Sequence, residues 1–386
     1  RPWVWFIEGW RLPLWSAEVT LPPDPSCEAP MMDSPLLPYH ERAGARMLGT
    51  AGSTLLTYGD VPGEYRAGLD DAILLDCTDR GMVHVSGADA LEFLHRITSC
   101  EVHAMGVGQG NAGLLLDSKG KVQHMFDLAR STEDRFELST PPGQATELIA
   151  ALDTYIFTED VKLSDESQSH APIDMVGSHA GSVLGSVMGE VPEALLHHFD
   201  TVESDWGPLR ITNLPILGAV GWRLDGRPEQ MLGVWETLAS SGAVPGGLVA
   251  RDSLRLEAIE PLWGVDVDGS VYPQEARLEA AFSLTKGCYI GQEVVAKIDT
   301  YGGLNKRLMA LRVDHDDPVV AGTRLWREVD GEWRDLGVST SWAYSFALDC
   351  GLLLAYVKRN HQDAGTVFRL DDGPATATIV PEPVRN

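Results

Sequence analysis

The chain has 386 residues, which at roughly 150 residues per domain predicts two or three domains. Hydrophobic residues make up 44% of it and charged residues 22%, a balance typical of globular proteins and not of disordered or fibrous ones. The 56 Asp and Glu against 30 Lys and Arg give a net charge of -26, which disfavours proteins that bind nucleic acid or anionic membranes through a basic surface.

Residues 1–30 differ in composition from the rest of the chain. They contain Trp3, Trp5, Trp10 and Trp15 among several prolines. No continuous apolar run of about 7–15 residues, as a signal peptide needs, occurs in them. We therefore expect residues 1–30 to be an extension that is not part of the fold.

The first half of the chain predicts helices among antiparallel hairpins. Strands over 72–77 and 82–85 precede a helix over 87–97, in which Leu91, Leu94 and Ile97 have helical spacing. A second hairpin turns at Asp117-Ser-Lys-Gly120, where glycine can supply the positive φ of a tight turn. Further elements follow as a strand over 136–139, a helix over 142–155 and a strand over 159–163. This order favours an α+β fold over a strict βαβ alternation.

The second half ends in a β-rich region. Before it, the pattern predicts strands over 173–176 and 216–220 and helices over 229–240 and 251–259. After Arg307, short β-rich runs are separated by turns that contain Gly and Asp, which favours a small barrel or sandwich. These runs cover 307–313, 324–329, 334–338, 352–356, 366–370 and 375–380. We place a boundary between an α+β core of residues 31–303 and a C-terminal β-barrel of residues 304–386.

Cysteine usage is that of a reducing compartment. The chain has neither a CxxC pair nor a histidine that completes a zinc pattern, so no disulfide framework or metal site is predicted. No apolar run reaches the roughly 20 residues of a membrane-spanning helix, and we expect a cytoplasmic protein. Histidines such as His95 and His103 show no recurring ligand spacing and are interpreted as surface or core residues.

Residues 286–293, Lys-Gly-Cys-Tyr-Ile-Gly-Gln-Glu, combine residue types that packing of an amphipathic element does not require. Lys286 stands two residues before Cys288 and could lower the pKa of its thiol. Gly287 and Gly291 permit a tight backbone, and a helix starting at Gln292 would add a positive dipole end. From the residues alone, a buried cysteine in a glycine-bearing turn is the commoner explanation of so short a motif.

The octet resembles the signature of the YgfZ family of folate-binding proteins, relatives of the glycine-cleavage aminomethyltransferases (GcvT). Residues 251–258 (RDSLRLEA) and 261–264 (PLWG) are similar to a segment that both groups share, and residues 83–130 resemble them more loosely. The resemblance runs from about residue 32 to the C-terminus. It implies a GcvT-like folate-binding core of intertwined ferredoxin-like subdomains plus a C-terminal β-barrel, with tetrahydrofolate or a one-carbon derivative as cofactor.

The resemblance also implies residues that bind the cofactor. Arg251 matches the family arginine that contacts the folate, whereas without the family a helix-surface ion pair with Asp252 or Glu257 would be preferred. Tyr289 is expected to line the cavity beside the octet. Trp222 stands where the aminomethyltransferases have a glutamate that holds the pterin. It could stack on the pterin or fill the core, and packing is the commoner role of such a tryptophan.

The expected catalytic residues are Cys288, Lys286 and Glu101. The aminomethyltransferases have an aspartate in an Asn-Asp pair after their first helix, and here the equivalent positions read Ser99-Cys100-Glu101. Glu101 keeps the carboxylate but displaces it by about one methylene. A displacement of about 1 Å can cost ~100-fold in a step that depends on alignment.

Three functions remain open, and the YgfZ-like one is preferred, because the missing glutamate at Trp222 argues against glycine cleavage and the thiol of Cys288 argues for the YgfZ branch. The YgfZ resemblance implies a tetrahydrofolate-binding accessory factor for assembly or repair of iron–sulfur clusters in client enzymes, including tRNA-modifying ones. Its partners would be folate and iron–sulfur client or scaffold proteins, without direct contact to nucleic acid or membrane. With one cysteine in the motif, the chain is not expected to hold a cluster alone. The alternatives are a folate-dependent aminomethyl- or methyltransferase and a non-catalytic folate-binding module.

Overall fold

The structure, a computed structural model, describes residues 34–48, 54–189, 191, 195–371 and 373–385, so the expected extension of residues 1–30 lies outside the described residues. The helices of the described part are α1 (Leu37–Arg42), α2 (Val61–Asp70), α3 (Ala90–Ile97), α4 (Ala145–Asp153), α5 (Ala180–Met188), α6 (Pro228–Ser240), α7 (Leu248–Glu257) and α8 (Gln292–Tyr301). The strands are β1 (Arg46–Leu48), β2 (Thr54–Thr57), β3 (Ile73–Asp76), β4 (Gly81–Ser86), β5 (Gly110–Leu116), β6 (Val122–Thr132), β7 (Arg135–Thr140), β8 (Lys162–Asp165), β9 (Ile173–Val176), β10 (Phe199–Ser204), β11 (Gly207–Ile216), β12 (Ala219–Asp225), β13 (Val244–Gly246), β14 (Lys306–Val313), β15 (Arg324–Val329), β16 (Glu332–Ser345), β17 (Cys350–Lys358), β18 (Val367–Leu370) and β19 (Thr376–Ile379).

Three sheets and a barrel organise the strands of the described residues, and the smallest sheet pairs β1 with β2 antiparallel. Sheet I has the order β5-β6-β7-β4-β8 and is antiparallel throughout. Sheet II has the order β10-β11-β12-β9-β3-β13, in which β13 pairs with β3 in parallel. Strands β14 to β19 close into a barrel in the order β14-β17-β16-β15-β18-β19. The α+β class and the C-terminal barrel predicted from the sequence are confirmed.

Sheets I and II repeat one pattern. In each, a three-strand meander (β5 to β7, β10 to β12) is followed by a helix and lies beside a strand (β4, β9) that leads into another helix. The place of β8 in sheet I is taken in sheet II by β3, which precedes β4 in the chain. Because β3 joins sheet II although all of sheet I lies between it and β9 in the chain, the two halves are intertwined.

Each of these sheets buries one face under its own helices. In sheet I, Val83 and Val85 pack with Phe93 of α3 and Leu148 of α4. The spacing of Ala90, Phe93, Leu94 and Ile97 places the buried side chains of α3 on one stripe, as an amphipathic helix requires. In sheet II, the corresponding cluster joins strand residues to α5 and α6, and its largest fully buried side chain is Trp235.

A further apolar cluster connects the core to the barrel. It contains Leu116 of the β5–β6 hairpin, Leu256 of α7, Val295 of α8 and Leu354 of β17. The barrel has its own interior around Leu311 and Phe368, among others. No helix within the described ranges combines the length and the apolar composition needed to cross a membrane.

One predicted strand is wrong. Residues 216–220, expected as a buried strand, cover the tight turn between β11 and β12, where Leu217 and Gly218 have φ of 53° and 75°. Short apolar runs do not distinguish a strand from the end of one strand and the start of the next. The strand expected over 334–338 is a small part of β16, which continues to Ser345.

Glycine is required where β4 leads into α3. Gly87 has φ +131°, and a Cβ there would lie 2.0 Å from the carbonyl oxygen of Asp160. We expect Gly87→Ala to lower the free energy of unfolding by more than the roughly 1–3 kcal/mol typical of a strained backbone position, because the carbonyl contact adds to the strain. Urea denaturation of both proteins measures the difference.

The matched control for this substitution is Gly242→Ala. Gly242 also has a positive φ, +108°, but no heavy atom lies within 4 Å of a Cβ built there. It should show the backbone strain without the steric contact and therefore a smaller loss. Equal losses for the two variants would contradict the role assigned to the Asp160 contact.

Candidate functional site

Lys286 joins two loops that are far apart in the sequence. Its side chain is 9% exposed, and its ammonium donates to the carbonyl oxygens of Thr98 and Cys100 at 2.6 and 2.5 Å. Ser99 strengthens this connection, because its hydroxyl donates to Ala281 O at 2.6 Å. Burial lowers the pKa of Lys286 to about 8. The loop after α3 is thus fixed by the first residue of the octet.

Glu101 follows this anchored segment. Its Oε1 lies 3.3 Å from His95 Nδ1 and accepts a hydrogen bond from Ala104 N at 3.3 Å. Its side chain is 34% exposed, so the carboxylate is held in place and still reachable. The structure therefore brings together two of the residues predicted as catalytic, Lys286 and Glu101.

Cys288 occupies a different position from Lys286. Its thiol is free and exposed, in a loop shaped by the positive φ of Gly287 (+103°) and Gly291 (+77°). The hydrogen bonds of the Lys286 ammonium go to backbone carbonyls and not to this thiol. The expected contact between the Lys286 ammonium and the Cys288 thiol is absent from the described contacts. The buried ammonium instead donates to carbonyl oxygens of the loop after α3.

Tyr289 points inward from the same loop. It is 7% exposed and belongs to the cluster that connects core and barrel, with its ring centroid 5.3 Å from Lys286 Nζ. Burial raises its pKa to about 12. Its hydroxyl is buried and finds no hydrogen-bond partner in the described part of the chain. The hydroxyl is therefore a polar group that the surrounding apolar cluster leaves unpaired.

Arg251, on α7, lies in a second group of polar residues. The helix-surface ion pair considered from the sequence does not form, because Asp252 binds Arg255 instead (3.0 Å). Among the described residues the Arg251 guanidinium makes no hydrogen bond and no ion pair within 4.0 Å. Burial lowers its pKa, but the nearby charges, with those of Cys77 and Asp174 the largest, raise the pKa overall. Arg251 and the octet are not linked by any described hydrogen bond.

The neighbouring residues form a charged network between the sheets. Arg223 of β12 donates to both carboxylate oxygens of Asp174 at 2.8 and 2.9 Å, and to Asp127 of β6 at 3.0 Å. Arg80 adds a second contact to Asp127 at 3.2 Å. Burial raises the pKa of Asp174, but the charge and hydrogen bonds of Arg223, together with the charges of Arg80 and Arg251, outweigh burial and lower the pKa overall. Burial also raises the pKa of the Cys77 thiol, which donates to Asp174 at 3.4 Å.

A cavity of about 40 Å³ lies beside this network, between sheets I and II. Its lining includes Asp127, Glu137 and Ser139 from sheet I and Arg210, Arg223 and Asp225 from sheet II. Glu137 and Arg210 form a further ion pair across it. The cavity wall is therefore charged on both sides.

Trp222 does not face this cavity. It is 6% exposed and packs in the apolar cluster of sheet II, while its neighbour Arg223 points to the cavity. Adjacent residues of a strand face opposite sides of the sheet, so only one of the two can reach a ligand. The expected cofactor contact of Trp222 is corrected to core packing. Arg223 was not among the site residues predicted from the sequence, although the alternation of side chains along β12 could have indicated it.

Comparisons with known proteins match most of the chain. Residues 36–286 match the GCVT N-terminal domain, and residues 306–384 match the glycine cleavage T-protein C-terminal barrel domain. The aminomethyltransferase of Rubrobacter xylanophilus is 29% identical over 360 residues, which cover 91% of this chain and 93% of that protein. The aminomethyltransferase of Herpetosiphon aurantiacus is 27% identical over 363 residues, with coverage of 92% and 98%.

A solved structure shows the same architecture. The crystal structure of glycine cleavage system aminomethyltransferase T from Bartonella henselae superposes with a TM-score of 0.80 at 25% identity, covering 92% of this chain and 98% of that one. The resemblance to aminomethyltransferases expected from the sequence is confirmed. The narrower resemblance to the YgfZ branch stays a prediction.

The buried network should dominate the stability of this region. We expect Asp174→Asn to lower the free energy of unfolding by about 3–5 kcal/mol, because it leaves the buried Arg223 guanidinium short of a charge partner. Thermal and urea denaturation measure this. Glu293→Gln removes an acid from an exposed ion pair with Lys297 and serves as the control, with little change expected. Similar losses in both variants would contradict the prediction.

His170 lies behind the cavity wall, where it binds Asp225, one of the residues that line the cavity. Burial and the charge of Arg135 lower the pKa of His170. The hydrogen bond to Asp225 (2.9 Å) and the charges of Asp225 and Glu166 raise it by more, so the pKa is raised overall. His84 is the other titratable group in contact with its ring, 5.5 Å away between centroids. A raised pKa stabilises the fold fully below the ordinary value of about 6.5, and this stabilisation is lost as pH rises through the raised pKa.

His170→Gln should therefore destabilise the protein more at pH 5.5 than at pH 9, as measured by urea denaturation at both values. The same comparison in an Asp225→Asn background is the control, because the partner that raises the pKa is then neutral. A loss for His170→Gln that is independent of pH would show that His170 acts by packing alone.

Proposed function

Because the chain belongs to the glycine cleavage T-protein (GCVT) family, we propose that it is an aminomethyltransferase that moves a one-carbon unit onto tetrahydrofolate. Tetrahydrofolate, the cofactor expected from the sequence, is the one-carbon carrier of this family. Relatives named aminomethyltransferase cover more than nine-tenths of the chain. The observation on which the proposal depends is the carboxylate of Glu101, held after α3 where these enzymes have an aspartate.

The polar residues around the core fit such a cofactor. Tetrahydrofolate ends in a glutamate, whose carboxylates require cations. The guanidinium of Arg251 is half-buried and makes no ion pair with a described residue, so it is free to hold a carboxylate with two hydrogen bonds. The buried hydroxyl of Tyr289 offers a donor on the side of the octet. When bound, tetrahydrofolate supplies the nitrogen that accepts the one-carbon unit.

The chain's own groups then have distinct tasks. Lys286 fixes the backbone of residues 98–100 and places a positive charge near Glu101. The Glu101 carboxylate can stabilise positive charge on a nitrogen or accept its proton, which general acid–base catalysis requires. Lys286 is in this scheme a positioning residue, and Glu101 the catalytic one.

A second candidate function is the YgfZ-like accessory role in assembly or repair of iron–sulfur clusters. The exposed, free thiol of Cys288 favours it, because a transferase that relies on Glu101 does not need that thiol. Such a role would use Cys288 in a later step, on a client or scaffold protein. Folate binding is common to both candidates, so it is tested first.

Calorimetric titration of the full, reduced chain with tetrahydrofolate tests the binding. Arg251→Ala should weaken binding by roughly 10- to 100-fold, the equivalent of about 1.5–3 kcal/mol for hydrogen bonds to a charged group. Arg227→Ala is the matched control, because Arg227 is exposed and pairs with Glu229 on the surface. Absence of binding in the parent protein would overturn both candidate functions.

Transfer of a formaldehyde-equivalent carbon from an aminomethyl donor to tetrahydrofolate tests the chemistry. Glu101→Gln should reduce the rate by roughly 100-fold or more, with Glu229→Gln as a remote control. Cys288→Ser should leave the rate unchanged in a transferase. Folate binding without transfer, together with loss of client-enzyme activity in a Cys288→Ser strain, would instead establish the accessory role.

A further inference from the structure

Two histidines interpreted from the sequence as unrelated meet at Glu101. His95 lies in the last turn of α3 and His103 in the loop that follows. One ligand atom from each of His95, Glu101 and His103 lies within 4.8 Å of the other two. The two imidazole rings are stacked, with centroids 3.6 Å apart and planes at 5°.

The hydrogen bonds of His95 leave its Nδ1 unprotonated beside Glu101. His95 Nε2 lies 2.9 Å from the carbonyl oxygen of Lys286, which can only accept, so Nε2 carries the hydrogen. In the neutral ring Nδ1 then bears a lone pair, and the carboxylate Oε1 of Glu101 lies 3.3 Å away. The backbone N–H of His103 also donates to Nδ1, at 3.4 Å. Two electron-pair donors as close as Nδ1 and Oε1 favour a cation between them.

His103 has a comparable arrangement. Its Nε2 lies 2.8 Å from Oε1 of Glu92, so this nitrogen donates and Nδ1 is available. A ligating histidine usually donates its other ring N–H to a carboxylate or a backbone carbonyl, which fixes its tautomer. Glu92 and the carbonyl of Lys286 are acceptors of these two kinds.

We propose that His95, Glu101 and His103 bind a divalent transition-metal ion of the zinc type. Zinc bonds of about 2.0–2.1 Å at a tetrahedral angle place two ligand atoms about 3.3 Å apart, as His95 Nδ1 and Glu101 Oε1 are. Two nitrogens and one carboxylate suit zinc, and the fourth position is left to water. Stacked rings cannot both point a lone pair at one ion, so one must turn. His103, 43% exposed, is free to do so.

Zinc titration of the full chain, free of any affinity tag, tests the site. The measurement is made in a Cys288→Ser background, because the exposed thiol would itself bind zinc. We expect one site that is lost or strongly weakened by His103→Asn and by Glu101→Gln. Glu92→Gln should weaken it by about 10-fold, as removal of a supporting acceptor does.

His179→Asn is the matched control, because His179 is also exposed and also lies near a carboxylate, that of Asp71 (3.6 Å). It should bind zinc as the background protein does. Circular dichroism confirms that each variant is folded. Absence of zinc binding in the background protein, or equal binding in His103→Asn and Glu101→Gln, would overturn the proposal.

A consequence of the site rests on the proposed transferase function. A metal ion on Glu101 withdraws the carboxylate from catalysis, so zinc should inhibit transfer in the Cys288→Ser background and inhibit His103→Asn much less. The ratio of rates with and without zinc is compared for each protein. If transfer is absent even without zinc, the proposed function fails, whereas the titration still decides the metal site.

Discussion

The charged contact between the two sheets centres on one buried guanidinium, that of Arg223, and the ion pair of Glu137 and Arg210 adds to it. The Arg223 guanidinium binds Asp174 within sheet II and Asp127 of sheet I. Each sheet buries its other face under its own helices, so charged side chains make the contact around the central cavity. A buried ion pair is tolerated only when its hydrogen bonds are nearly complete. The distance between the sheets is therefore set by hydrogen-bond geometry, and the cavity keeps a polar wall.

The backbone of residues 286–293 turns at Gly287, so Lys286 and Cys288 have different environments. Lys286 reaches inward to carbonyl oxygens 188 and 186 residues earlier in the chain, whereas Cys288 faces solvent. A lysine suits this task, because its long stem carries three donors and can satisfy two carbonyls at once. The loop that bears Glu101 thus depends on a contact between two distant segments of the α+β core. The thiol of Cys288 takes no part in that contact.

Local patterns in the sequence predicted α3, the β5–β6 hairpin and the β-rich tail, because periodicity and turn glycines determine such elements. Trp222 was misplaced for a related reason: similarity to a family motif identified the segment, but only the alternation of β12 decides which neighbour faces the cavity. The approach of His95 and His103 could not be predicted from spacing. It depends on the turn after α3, which is fixed by Lys286 from the distant octet.

The departure of Glu101 from the family pattern and its contact with His95 have a common cause. An aspartate at this position would keep its carboxylate about one methylene closer to its own backbone. The longer glutamate side chain can turn back toward α3, where it accepts from Ala104 N and faces His95 Nδ1. The extra methylene of Glu101 changes the position of the carboxylate from that expected in the transferases. It also brings the carboxylate next to His95 and His103. The proposed competition between tetrahydrofolate and a cation for Glu101 thus rests on this single methylene.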